Sequence, residues 1–206
     1  MGKSMMKNTE LICVNIDAGL ATVPHFINID VTGKGKRNID IGKEPLPFDN
    51  DSVDVIFSYH ALEHIPNYLA AMAEIHRVLK HGGRLLLGLP YVTATKYHLV
   101  NPYHLHNFNE HSFDFFDKDK FANMNVPNPV VFKKVFHRFH YTGMFNYLPS
   151  PIQNWCRNHL LNVVQKIDVG LLAIKQTDAP LSNNKEQLLL QEFSKCFAAR
   201  VPYKAN

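Results

Sequence analysis

The chain has 206 residues, 46% hydrophobic and 19% charged, enough for one folded domain with a real core, which excludes a disordered or low-complexity protein. Its formal net charge of +4 is too slight to argue for nucleic acid, and no nucleic-acid partner is expected. No apolar run approaches the roughly 18 residues of a membrane span, the N-terminus lacks a signal-peptide core, and Met6 stands where a myristoylation site needs Ser or Thr. The three cysteines, Cys13, Cys156 and Cys196, stand far apart in no ligand spacing, so free thiols and a cytoplasmic location are expected.

Residues 11–16 and 26–31 read as buried strands. The segment between them, Asp17 to His25, is too short for a crossover helix, although parallel neighbours normally need about a dozen connecting residues. Gly33 to Arg37 is a basic, Gly-containing loop, and residues 38–41 suit a short third strand. Pro45 and Pro47 then hold the chain extended. Val53 to Ser58 reads as a fourth strand. Over Tyr68 to Lys80, Leu69, Met72, Ile75 and Leu79 recur with a helical period. Lys80 is expected in the last turn of that helix, with Gly82 as its left-handed cap. Arg84 to Pro90 is a fifth strand.

Tyr91 to Asn109 is a long loop rich in His, Tyr and Asn, and such loops in compact domains are often functional. A short helix is expected over Glu110 to Asp117, late strands over Val130 to His140 and Asp168 to Lys175, and a helix between them over Ile152 to Val164. The expected organisation is one domain over residues 1–176. A polar linker and an amphipathic C-terminal helix, packed on or beside that domain, fill residues 177–206.

The most informative stretch begins Leu46-Pro47-Phe48-Asp49-Asn50-Asp51-Ser52-Val53-Asp54 and runs through Ser58 to Leu62-Glu63-His64. It is followed by Arg77-Val78-Leu79-Lys80-His81-Gly82-Gly83. A turn, a buried strand, a helix with a Gly stop and a second buried strand make one crossover unit of a parallel sheet. The same letters closely resemble the LPF-x-D-x-SFD-xxxS-xxLEH … RVLKPGG signature of class I S-adenosylmethionine-dependent methyltransferases. The resemblance implies an α/β fold: a doubly wound, Rossmann-like, mostly parallel sheet with helices on both faces and the last strand antiparallel. It implies S-adenosylmethionine as cofactor and methyl transfer to a small-molecule or sugar acceptor, with oxygen the expected atom. In open sheets of this kind, ligands bind outside the carboxyl ends of the strands.

The site residues follow from that placement. Val14-Asn15-Ile16-Asp17-Ala18-Gly19 stands where the family carries its glycine turn. Gly19 matches, and Asp17 replaces the first glycine, where its carboxylate can accept from the cofactor's ammonium group. The resemblance assigns Asp30, at the end of the second strand, to the ribose hydroxyls. It assigns Asp40 and the backbone of Ile41 to adenine. Ser58 and Tyr59 end the fourth strand on the crevice side, and His60 follows them nearest the transferred methyl. Asn101-Pro102-Tyr103-His104 resembles the family's DPTH segment, so His104 joins His60 as a candidate base. Glu63 and His64 read equally well as residues that orient the turn.

His60 to His64 also spells H-x-x-E-H, an inverted zinc-peptidase motif. Pro66 follows within two residues, and the methyltransferase resemblance accounts for the same letters over a longer stretch, so no metal is expected. The basic and aromatic run over residues 131–146 allows a peripheral membrane contact but better suits an edge strand with one solvated face. A rival reading is a non-catalytic, methyltransferase-like binding or scaffold protein. The replacement of glycine by Asp17 and the missing crossover helix favour it.

Overall fold

A computed structural model of the chain describes residues 10–16, 21–30, 37–121, 129–175 and 185–202. In chain order these form β1 (Cys13–Ile16), β2 (Ala21–Thr22), β3 (Ile27–Asp30), β4 (Arg37–Asn38), β5 (Val53–Tyr59), α1 (Tyr68–Val78), β6 (Leu79–Pro90), α2 (Lys118–Phe121), β7 (Phe132–Tyr141), α3 (Ser150–His159), β8 (Val164–Ala173), α4 (Lys185–Ala198) and β9 (Val201–Pro202). Among the described residues, seven strands share one sheet in the order β4-β3-β1-β5-β6-β8-β7. The first five lie parallel, and β8 is antiparallel to both β6 and β7. This is the doubly wound sheet expected from the sequence, its last long strand reversed and inserted before the edge.

The central strands are apolar on both faces because both faces are covered. Ile56, Leu85, Leu87, Val169 and Leu171 pack with Ala71, Met72, Ile75 and Val78 of α1. Val55, Phe57, Leu86 and Leu172 pack with Leu189, Phe193 and Cys196 of α4. Arg84 reaches Glu192 across that second interface at 3.3 Å. β7 is the edge strand, as the basic and aromatic pattern suggested. No helix among the described residues is long and apolar enough to cross a membrane.

Among the described residues, the return from β1 to β3 contains no helix. Asn28, buried, is its fastener. Its Oδ1 accepts from the Val23 amide at 2.9 Å and from Asn15 Nδ2 at 2.9 Å, and its Nδ2 donates to Val23 O and Phe26 O. The extended piece β2 then pairs antiparallel with β9, the short strand that follows α4.

Several boundaries differ from the sequence reading. The third strand is Arg37–Asn38, and Ile41 begins a turn rather than ending a strand. The helix of 68–80 stops at Val78, and Leu79 is already extended and paired with Val53. Lys80 is therefore outside the helix. It points to Asp54, whose two carboxylate oxygens it meets at 2.7 Å each, an ion pair across neighbouring strands that the helical period could not show. Gly82 does adopt a positive φ of 71°, but inside the irregular start of β6. The helix expected over 152–164 is Ser150–His159, and residues 114–116 form only a 3-10 turn. The linker of 177–184 lies outside the described residues.

Much of the signature holds the scaffold together. Arg77, on α1, donates to Glu74 Oε2 at 2.8 Å and Oε1 at 2.6 Å, and to the carbonyls of Leu46 and Phe48. Glu74 Oε1 also accepts the Leu46 amide at 2.6 Å. The pair thus clamps the Leu46-Pro47-Phe48 segment to α1. The hydrogen bond from Arg77 is the largest of the effects that hold the Glu74 carboxyl below its ordinary pKa. A depressed carboxylate adds stability above its unfolded pKa, and that stability is lost as pH falls through the folded value. Arg77→Ala is expected to lower the unfolding free energy by about 2–3 kcal/mol in urea melts, the scale of hydrogen bonds to charged groups. Glu74→Gln is expected to flatten the loss of stability below about pH 4.5. An acid limb unchanged in Glu74→Gln would reject the assignment.

Candidate functional site

At the carboxyl edge of the parallel strands, Ile16, Ile39, Asp40, Ile41, His64, Ile65 and Pro66 line a cavity. The end of β1 forms its floor, the turn after β4 one wall and the turn after β5 the other. Asp30, last residue of β3, is 1% exposed at the same edge. Ser58, buried on β5 and paired with Ile16 of β1, has an Oγ without a hydrogen-bond partner among the described residues. Asp17 and Gly19 lie outside the described residues.

Asp40 reaches the cavity with a second task. Its Oδ1 accepts the Gly42 amide at 3.1 Å and its Oδ2 meets Lys43 at 2.9 Å. The hydrogen bond from Lys43 is the leading reason its pKa sits below the ordinary value. Asp40 thus closes the turn that presents Ile41. Tyr59 is not brought to the cavity. Its hydroxyl accepts from Lys166 at 2.8 Å, and its ring packs on Phe197 and under the Arg200 guanidinium, on the α4 side of the sheet. Gly88 permits this, since a Cβ there would meet the Tyr59 ring at 2.3 Å.

The chain leaves the sheet at His60, whose φ of 56° is a left-handed conformation uncommon for a residue with a side chain. The 3-10 turn Leu62–His64 follows. Glu63 is 0% exposed. Its Oε1 meets His60 Nδ1 at 3.1 Å, and its backbone carbonyl accepts the amides of Leu105 at 2.7 Å and His106 at 3.3 Å. His64 Nδ1 donates to Tyr103 O at 3.0 Å and His106 Nε2 to Ile65 O at 2.7 Å. These bonds seat the long loop after β6 on the turn after β5. The sequence candidates His60 and His104 therefore belong to one cluster, joined through Glu63 and His64. The His64 and His104 rings stand 4.7 Å apart, centre to centre.

The hydrogen bonds also fix the rings. A carbonyl oxygen only accepts, so His104 Nδ1, 2.9 Å from His98 O, must carry a proton. His98 Nε2 donates to Asn107 Oδ1 at 2.6 Å, which leaves its Nδ1 to accept from His104 Nδ1 at 3.0 Å. Among the described residues, His104 Nε2 is left with a free lone pair, and so is His64 Nε2. Burial is the leading cause that holds the His104 pKa below 6.5. His98, 1% exposed, and Asn107 orient His104 and were not singled out from the sequence. The only hint was the concentration of His and Asn in the 91–109 loop.

If this assignment holds, long-range proton–nitrogen NMR correlations near neutral pH are expected to show His64 and His104 protonated at Nδ1. A dominant Nε2–H signal from either would overturn the hydrogen-bond directions.

Residues 12–87 match the family model described as a methyltransferase domain. A demethylmenaquinone methyltransferase of Staphylococcus epidermidis is 46% identical over 41 residues, 20% of this chain and 17% of that protein. The chain thus matches under a fifth of the length of that curated relative. Among solved structures, a chain of the complex between the Haloferax volcanii Trm112 methyltransferase activator and a methyltransferase is 14% identical, with a TM-score of 0.54 over 82% of this chain and 84% of that one. An S-adenosylmethionine-dependent methyltransferase from Archaeoglobus fulgidus is 10% identical, with a TM-score of 0.52 over 79% and 86%. At these identities the likeness to solved structures is one of fold.

Proposed function

We propose that the chain, whose residues 12–87 match a methyltransferase domain, is a class I S-adenosylmethionine-dependent methyltransferase that moves a methyl group from S-adenosylmethionine to an oxygen of a small-molecule or sugar acceptor. One observation carries the reading. The cavity at the strand ends, in the segment that matches the methyltransferase domain, opens at His64 onto a cluster of imidazoles with free lone pairs.

The cofactor supplies an electrophilic methyl on a sulfonium, and the chain's residues do the rest. Asp30 accepts from the ribose hydroxyls, and Asp40 and the Ile41 backbone take the adenine edge. Asp17 and Gly19 serve the methionine end, and Ser58 supports the floor between them. His60 is the base. Glu63 holds its Nδ1–H, so Nε2 is left to take the acceptor's proton, as in other carboxylate-oriented histidines. His104, packed on His64, is a second imidazole of the same cluster. Methyl transfer is an in-line displacement, so alignment of acceptor and methyl supplies most of the acceleration.

The test begins with a calorimetric titration of the purified chain with S-adenosylhomocysteine. Saturable binding is expected, weakened in a folded Asp30→Ala variant by about 1–3 kcal/mol. No binding by the wild-type chain would favour the scaffold reading, to which the replacement of glycine by Asp17 lends its weight. An acceptor screen follows, with sugars, small hydroxyl compounds and demethylmenaquinone, the substrate named for the Staphylococcus relative. With an acceptor in hand, His60→Ala should lower turnover by about 10²–10⁴-fold and leave cofactor affinity nearly unchanged. Near-wild-type turnover would remove His60 from the base role.

A further inference from the structure

The acceptor end of the crevice contains a feature that methyl transfer alone does not require. Glu63 is fully buried, and while its Oε1 meets His60, its Oε2 has no hydrogen-bond partner among the described residues. An ionised carboxylate oxygen taken out of water and left unpaired is expensive. It calls for a proton or a cation. Beside it stand two imidazoles, and one ligand atom from each of Glu63, His64 and His104 lies within 4.8 Å of the others.

Three details favour the cation. Both imidazoles donate Nδ1–H to backbone carbonyls, His64 to Tyr103 at 3.0 Å and His104 to His98 at 2.9 Å, so both offer an Nε2 lone pair. Metal-bound histidines are oriented in this way, with the second ring nitrogen donating to a carbonyl or carboxylate. The support extends a further step, because His98 is itself oriented by Asn107. Finally, two ligands each about 2.1 Å from a metal lie about 3–4 Å apart, so modest side-chain rotations close the three atoms around an ion.

We infer that Glu63, His64 and His104 bind a divalent transition-metal ion at the acceptor end of the crevice. Two imidazole nitrogens and one carboxylate oxygen suit zinc, manganese, iron(II) or cobalt rather than calcium or magnesium, which prefer oxygen donors throughout. Three protein ligands leave positions open. His64 also lines the cavity, so the open side adjoins the proposed cofactor crevice. This is not the inverted peptidase motif that the letters His60 to His64 spell. The segment is a 3-10 turn, His60 bonds to Glu63, and the third ligand comes from a loop some forty residues on.

The role of the ion rests on the methyltransferase reading; its binding does not. Bound through its oxygen, an acceptor hydroxyl is acidified. Its proton passes to His60 Nε2 and an oxygen lone pair forms the bond to the methyl carbon. The carbon–sulfur bond then breaks with its electron pair left on sulfur, turning the sulfonium into a neutral thioether. The metal's charge does not change. In this arrangement His104 is a ligand, and His60 alone remains as base.

The experiment uses the full chain, produced without a polyhistidine tag and stripped with a chelator. It is titrated calorimetrically with Zn²⁺ alone and, separately, followed by visible absorption as Co²⁺ is added. One equivalent is expected, with the absorption of a nitrogen- and oxygen-ligated cobalt site. His64→Ala and His104→Ala should each weaken binding by more than about 10-fold. Thermal melts confirm that both variants fold, and His104, on a loop, is the safer of the two. No saturable binding, or binding unchanged in the His64→Ala/His104→Ala double variant, would overturn the inference. S-adenosylhomocysteine is titrated into the same samples. Cofactor binding without metal binding defeats the metal site alone, and metal binding without cofactor binding defeats the methyltransferase reading alone.

Discussion

A carboxylate with no exposure to water must be held by the protein around it, and Glu63 is held at two of its three oxygens. Its Oε1 faces His60 and its backbone carbonyl gathers the amides of Leu105 and His106. The first contact orients the ring that follows β5. The second fixes the loop that follows β6. His104 and His98 are therefore positioned by a residue more than thirty places earlier in the chain. Neither the turn after β5 nor the long loop would keep this shape alone, because the loop contributes few buried apolar side chains of its own: Tyr97, Leu99, Val100, Tyr103 and Leu105 are all exposed.

The opposite end of the crevice is built with equal economy. Where β1 and β3 are joined, a buried Asn28 closes the return by four hydrogen bonds, and β2 is paired by the tail after α4. The helix that covers the second face of the sheet thus also anchors the segment beside the expected methionine end. Tyr59 belongs to this arrangement rather than to the crevice. Lys166, Phe197 and Arg200 hold it on the α4 side, and that placement could arise only from the tertiary packing of strands β5 and β8 with the last helix.

The parallel strands, the α1 crossover and the amphipathic last helix were legible because buried strands and an apolar helical stripe have distinct periods, whereas the reversed strand was expected only through the methyltransferase resemblance. Boundaries were less so. Lys80 fitted the last turn of a helix by position, but Val53 pairs with Leu79 and Asp54 draws Lys80 toward the strand, so tertiary pairing ends the helix earlier. Of the candidate site, His60 and His104 were visible as residues after strands. The buried Glu63 was not distinguishable from a turn residue, since its burial depends on a loop forty residues on. His98 and Asn107 carry no signal of their own, because their purpose is to hold another histidine.

The family match ends at residue 87, and the histidine-rich loop begins after it. Within the matched stretch, several of the most recognisable letters are structural. Leu46 and Phe48 are held by Glu74 and Arg77, and Asp54 is held by Lys80. Such a match follows from the requirements of a strand, a crossover helix and a second strand that must pack on each other, so it speaks first for the scaffold and the cofactor end. The histidine cluster proposed for the acceptor side comes from two sources: His60, Glu63 and His64 inside the match, and His104, with His98 and Asn107 behind it, beyond the match. On the proposed reading, the acceptor side is therefore shaped where the loop after β6 meets the turn after β5, at the hydrogen bonds from Leu105 and His106 to the carbonyl of Glu63.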